Sequence, residues 1–96
     1  MDNVKRYSAF IKRIISAPEP IRIKLLKTSN LNIIKAICEI ILNILQKNIA
    51  VGKVVITGLK KHETVIYRLL ESKGFETRKT ILVENPKILV NLAGVL

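Results

Sequence analysis

The chain has 96 residues, with 17 lysines and arginines against seven acidic residues, and its formal net charge is +10. This length supports one domain with a modest core, and no apolar run reaches the roughly 20 residues that span a bilayer. The single cysteine excludes an internal disulfide and favours an intracellular or virion-interior setting over secretion.

The first predicted helix runs from Asn3 to Ser16 and is amphipathic. Its apolar side chains recur at helical spacing on one side: Val4, Tyr7, Phe10, Ile11, Ile14 and Ile15. Four cations, Lys5, Arg6, Lys12 and Arg13, fall on the other side, because residues seven apart nearly superimpose on a helix. The segment "APEP" ends this helix, since proline cannot continue one.

A second short helix is predicted from Pro20 to Lys27, followed by a third from about residue 30 to 47. Either Ser29 or Asn30 can cap the third helix. Its five polar residues lie within roughly 80° of one another on a helical wheel: Asn32, Lys35, Glu39, Asn43 and Gln46. Because the rest of its circumference is apolar, this is the expected central helix.

Three of those polar residues, Lys35, Glu39 and Asn43, form a predicted polar seam on the central helix. Glu39 is the only acidic residue between residues 29 and 57. Two interpretations of Glu39 stay open: an exposed charge, or a salt bridge that joins this helix to a neighbouring helix or subunit.

The segment "NIAVGKVVITG" is predicted to be an extended apolar loop, with a short strand as the alternative. A fourth helix then begins at an N-cap, Thr57, and ends at Gly74 as the C′ residue. Its predicted buried stripe contains Leu59, Val65, Ile66, Leu69 and Leu70, and its predicted outward cations are Lys60, Lys61 and Arg68.

A last short helix is predicted over residues 77–83, where Asn85 and Pro86 stop it. The expected architecture is therefore an all-α bundle of four to five short helices around residues 30–47. We expect residues 1–84 to form one basic helical domain and residues 85–96 an apolar C-terminal tail.

Residues for catalysis or metal binding are sparse. Cys38 and His62 are single and lie in different predicted helices, so no clustered metal-ligand set exists. A Cys–His nucleophilic pair requires the two to meet in space, whereas Cys38 lies on the nearly all-apolar helix and is expected to be inert core. The four glycines are dispersed and form no phosphate loop. We expect no enzymatic activity, no metal and no cofactor.

The excess of cations predicts binding to nucleic acid through phosphate contacts, which are independent of base sequence and do not discriminate DNA from RNA. The expected contacts, in order of preference, are Lys5, Arg6, Lys12 and Arg13; then Lys60, Lys61 and Arg68; then Arg78 and Lys79. With few aromatic residues, base stacking is not expected. Solvation of an aliphatic-rich domain is the alternative role for these charges.

The aliphatic content predicts that part of the surface is covered by another chain, in a homo-oligomer or with a capsid protein; a monomer is the alternative. The expected contacts for such a structural protein are Ile88, Leu89 and Leu92 in the C-terminal tail. A membrane-active protein using the cationic first helix is a third hypothesis, although we expect no membrane partner.

The segment "LLKTSNLNIIKAICEIILNILQKNIAV" resembles small basic proteins of Maverick/Polinton elements and adintovirus-type animal DNA viruses. The resemblance covers residues 7–84 without gaps and rests on five short motifs: Leu25-Leu26, Ile37-Cys38-Glu39, Leu42-Asn43, Asn48-Ile49 and Lys60-Lys61-His62. It implies a virion-associated protein of the adenovirus core type, located in the virion interior or the host nucleus or cytoplasm. The N-terminal segment has no uninterrupted apolar region of signal-peptide type, so we do not expect secretion through a signal peptide.

The chain departs from that family at two places. Family members carry a dense Lys/Arg run where this chain has only Arg78 and Lys79, and a Gly-Gly pair where it has Asn85, Pro86 and Lys87. Both departures weaken a DNA-condensing role and leave the helical core intact.

Overall fold

The structure, a computed structural model, describes the backbone of residues 2–95 and the side chains of residues 3–95. Within that range all regular secondary structure is helical, which confirms the predicted all-α bundle, although the chain is divided into more helices than expected. The elements are α1 (Asp2–Ser16), α2 (Glu19–Lys27), α3 (Leu31–Leu45), α4 (Lys53–Lys60), α5 (Glu63–Glu71), α6 (Phe75–Glu84) and a 3₁₀ helix (Pro86–Leu92). Met1 and Leu96, the outer ends of the two expected segments, lie outside the described residues.

Helix α3 is central, as its composition predicted. It packs against α1, α5 and α6, and its buried side chains are Ile33, Ile34, Ala36, Ile37, Cys38, Ile40, Ile41 and Ile44. Asn30 is the N-cap, because its side-chain oxygen accepts a hydrogen bond from the Ile33 N–H at 3.0 Å. A helix with apolar contacts on several sides thus forms the core of the bundle.

The end of α3 is a left-handed turn at Lys47, which has a φ of 61°. The N–H of Lys47 donates to the Ile44 carbonyl, and the N–H of Asn48 donates to the Asn43 carbonyl. This pair of bonds is the Schellman motif, in which glycine usually occupies the left-handed position. The helix therefore ends at Leu45, two residues before the predicted boundary.

The exposed strip of α3 is wider than the polar seam. Leu42 and Leu45 were expected to be packed, yet their exposed fractions are 39% and 41%. Leu31 is exposed as well. Because no described helix covers this edge of α3, its surface is partly apolar.

Helix α1 has the predicted amphipathic arrangement. Val4, Ile11, Ile14 and Ile15 are buried, and the most extensive helix contact in the described chain is that of α1 with α3.

The region between α3 and α6 differs from the prediction. Residues 53–57, expected to be a loop, belong to α4, so Thr57 is not an N-cap. The expected fourth helix is broken at Lys61 and His62. Tertiary packing accounts for both differences. The β-branched residues of this segment carry only a small helix penalty, so α4 can form where it packs on the 3₁₀ helix. The break after α4 lets α5 pack on α3 and α6.

Gly74 is not a C′ residue, because its φ is −80° and it precedes α6 as the N-cap. Of the predicted stripe, Leu59, Ile66 and Leu69 are buried, whereas Val65 and Leu70 are partly buried.

The C-terminal segment is part of the core and not a separate tail. Ile88, Leu89 and Leu92 have no exposed surface, and the 3₁₀ helix contacts α1, α2, α4 and α6. Burying these apolar side chains stabilises the monomer, so in this fold they are not available to a second chain. The structure therefore corrects two predictions: the division into residues 1–84 and 85–96, and the oligomer contact at Ile88, Leu89 and Leu92.

Candidate nucleic-acid interface

Four cations lie together on the outer side of α1, and we call them the α1 cationic face: Lys5, Arg6, Lys12 and Arg13. All four side chains are exposed. They form two adjacent pairs separated by two helical turns, about 10 Å along the axis. No acidic residue occurs between Lys5 and Arg13. Within the described chain, none of the four side chains forms a hydrogen bond or an ion pair.

The second set of expected contacts, Lys60, Lys61 and Arg68, is exposed but lies elsewhere. Helices α4 and α5 do not pack against α1 in the described fold. Lys60 lines a depression together with Glu63, and Arg68 lines another with Glu76 and Glu84. The structure therefore does not join these cations to the α1 cationic face.

Arg78 has a structural role, although it was expected to contact nucleic acid. Its Nε donates to the Ser72 carbonyl at 2.6 Å and its Nη2 to the Leu70 carbonyl at 3.4 Å. A cation at a helix C-terminus satisfies carbonyl groups that have no partner within the helix and interacts favourably with the helix dipole. Arg78 thus holds the end of α5.

Lys79 is partly buried, and its Nζ lies 5.1 Å from the centroid of the Phe75 ring, at cation–π distance. Arg78 and Lys79 thus both make contacts within the fold, so they are not part of the candidate interface.

The polar seam on α3 forms hydrogen bonds within its own part of the described chain. Asn43 Nδ2 donates to the Glu39 backbone carbonyl at 2.7 Å, and Asn48 Nδ2 donates to Asn43 Oδ1 at 3.1 Å. Lys35 is exposed and Glu39 is partly buried. Among the described side chains Glu39 forms no ion pair, so the salt bridge to a neighbouring helix is not observed.

Arg22 is the residue that the sequence analysis missed. Its exposed fraction is 7%, and its guanidinium donates to the carbonyl groups of Ile14, Ile15 and Ala17 at the end of α1. Helical spacing could have indicated this, because Arg22 lies four residues before the fully buried Leu26. The chain therefore has two arginines that cap preceding helices.

Cys38, one of the two residues considered for catalysis, is buried in α3. Burial raises the pKa of the Cys38 thiol to about 11, and the charge of Arg78 opposes part of that rise. The thiol is therefore protonated at neutral pH, which disfavours a thiolate nucleophile.

No group of three or more His, Cys, Asp or Glu in the described chain could hold a metal ion. Nor does any helix within residues 2–95 have the length and hydropathy to cross a membrane.

Comparison of the chain with protein-family models, with curated proteins and with solved structures gave no significant match.

Proposed function

We propose that the protein binds nucleic acid through its phosphates, with the α1 cationic face as the main contact, and that it has no enzymatic role. The observation that supports this proposal is that Lys5, Arg6, Lys12 and Arg13 are exposed on one helix without partners in the described chain. Exposed lysines and arginines of this kind neutralise phosphates, and such contacts carry no base information. The binding is therefore non-specific and sensitive to salt.

The experiment is to measure binding to a short DNA duplex across a salt series. Each phosphate contact contributes about −0.9 to the slope of log affinity against log salt concentration. Changing Lys5, Arg6, Lys12 and Arg13 to Gln should flatten that slope by about 3 to 4 units if all four bind phosphates.

A matched variant separates this face from net charge. Changing Lys27, Lys47, Lys53 and Lys73 to Gln also removes four exposed cations, none of which belongs to α1. We expect this control to retain most of the slope. Equal losses in the two variants would contradict a defined face, and no binding at low salt would reject the proposed function.

We extend the proposal to a virion core protein, located with packaged DNA, because this is what the resemblance to small basic Maverick/Polinton and adintovirus-type proteins implies. The reduced cationic run at Arg78 and Lys79 is consistent with a weaker condensing role than the family has. Measuring whether the protein compacts long DNA, as well as binding short duplexes, would test this extension.

A second candidate function is that of an oligomerising structural protein. Leu42, Leu45 and Tyr67 present an exposed apolar strip, and Leu45 and Tyr67 line the same depression. A second copy of the chain is the proposed partner. Light scattering after size exclusion should then show an oligomer that Leu42→Glu with Leu45→Glu converts to a monomer; a monomeric parent protein would reject this candidate.

A further inference from the structure

A groove of about 400 Å³ lies between the start of α2, the junction of α4 with α5, and the 3₁₀ helix. Arg22, Lys61, Lys87, His62 and Asn91 line it, and Glu19 is the one acidic group in its lining. Leaving His62 aside, three cations and one carboxylate therefore line the groove. The volume falls within the range of about 300 to 1,000 Å³ that small-molecule sites occupy.

Arg22 is the anchoring group of this groove. Its Nε donates to Ile14 and its Nη2 donates to Ile15 and Ala17, with distances of 3.1, 3.1 and 2.7 Å. These bonds hold the planar guanidinium in one orientation, with no freedom to follow a ligand. A positioned guanidinium has little conformational entropy left to lose on binding.

The third nitrogen of Arg22, Nη1, has no hydrogen-bond partner among the described residues. No buried side-chain nitrogen or oxygen in the described chain lacks a partner, so Nη1 must reach accessible surface. The groove is accessible surface that Arg22 lines. A side chain that is more than nine-tenths buried thus keeps an accessible, unpartnered and charged N–H donor group, and the same side chain lines the groove.

Polar side chains from the α4–α5 junction and from the 3₁₀ helix line the same groove. Lys61 and Lys87 are exposed, and ammonium groups on flexible side chains can close on an anion in the groove. His62 and Asn91 are partly buried. The Asn91 Nδ2 already donates to the carbonyl groups of Lys87 and Ile88 at 3.5 and 3.3 Å, so the donors that remain for a ligand are the guanidinium, the two ammonium groups and the imidazole. Guanidinium and ammonium groups form charge-assisted hydrogen bonds to phosphate.

We propose that this groove binds a phosphate group. Its residues differ from those of the α1 cationic face, so the site does not depend on the proposed function. The phosphate belongs either to a small phosphorylated molecule or to a nucleic-acid backbone. Glu19 disfavours a second phosphate beside the first, which limits the site to one.

The test is a titration of the ¹⁵N-labelled full chain with inorganic phosphate, followed by amide chemical shifts, against sodium chloride at matched ionic strength. We expect saturable shifts at Lys61, His62, Lys87 and Asn91. Lys61→Gln with Lys87→Gln should weaken phosphate binding by about tenfold or more. The control is Lys5→Gln with Lys12→Gln, which removes the same charge from α1 and should leave the affinity unchanged.

Two further ligands identify the source of the phosphate. A nucleoside monophosphate that binds the groove more tightly than inorganic phosphate would indicate a small molecule; shifts at the groove that are stronger with a short duplex would indicate a backbone phosphate. Shifts that follow ionic strength alone, or that both double variants weaken equally, would overturn the proposal. Because the first titration contains no nucleic acid, failure of duplex binding would leave its result unaffected.

Discussion

The Nη2 atom of Arg22 lies 2.7 Å from the carbonyl oxygen of Ala17, the residue that follows α1. The same guanidinium also binds the carbonyls of Ile14 and Ile15. One cation on α2 thereby satisfies the end of α1 and fixes the turn between the two helices. Arg22 is counted in the net charge of the chain, but its side chain is buried and hydrogen-bonded within the bundle.

Changing Arg22 to Met should lower the free energy of unfolding by about 2 kcal/mol or more, since three carbonyl groups lose a charged donor. Arg22→Lys should recover only part of this loss, because an ammonium group cannot reproduce the guanidinium fork. Urea denaturation measures both changes. The control is Lys24→Met on the exposed side of the same helix, and equal stabilities of Arg22→Met and this control would contradict the assigned role.

Lys47→Gly should stabilise the protein by about 0.5 to 1 kcal/mol, despite removing a side chain. Lys47 has a φ of 61°, and a side chain costs about 1 to 2 kcal/mol in the left-handed region, where glycine is unstrained. Gln46→Gly, at a φ of −84°, should not stabilise. Thermal denaturation of the two variants makes the comparison, and a destabilised Lys47→Gly protein would refute the prediction.

Gly58 and Asn91 should be energetically coupled, because a Cβ on Gly58 would come within 2.7 Å of Asn91 Cγ. In an Asn91→Ala background, Gly58→Ala should add about 1 kcal/mol of stability through helix propensity. In the parent protein the gain should be smaller, since the Asn91 side chain has to move. A double-mutant cycle should give a coupling energy of about 0.5 kcal/mol or more; additive effects would argue against this close approach of α4 and the 3₁₀ helix.

Cys38 should make stability fall at high pH. Burial raises the pKa of its thiol from 9.0 to about 11, so above pH 9 the unfolded chain releases this proton while the folded chain keeps it. The contribution is complete below pH 9 and is lost as the pH rises to 11, by about 2 to 3 kcal/mol. Cys38→Ala should lack this part of the fall. Parallel stability profiles of the two proteins between pH 8 and 11 would rule out the shift.

Ile88→Ala and Leu92→Ala should each destabilise the monomer by about 2 to 4 kcal/mol, because both side chains are fully buried and each truncation leaves a cavity. Val90→Ala, at an exposed position of the same 3₁₀ helix, should have little effect. The loss should appear in denaturation curves that do not depend on protein concentration. If the two variants instead had normal stability but failed to assemble, this segment would be a contact to another chain.

The sequence by itself determined the features that depend on neighbours along the chain. Apolar spacing identified α1 and the central α3, Asn30 was one of two predicted caps, and Asn85 with Pro86 ended the last α-helix. These signals are local because helical periodicity, capping and proline geometry act within a few residues. The exposed position of the α1 cationic face follows from the same periodicity.

The tertiary structure alone decided the features that depend on distant partners. Residues 53–57 are helical where α4 meets the 3₁₀ helix, and Ile88 and Leu92 are buried where that helix closes the core. Arg22 and Arg78 differ from the exposed cations only in the carbonyl groups that the fold places beside them. Composition counts a charge but not its surroundings, so only the packing of the helices separates the cations that donate to carbonyl groups of the bundle from those whose side chains are exposed on its surface.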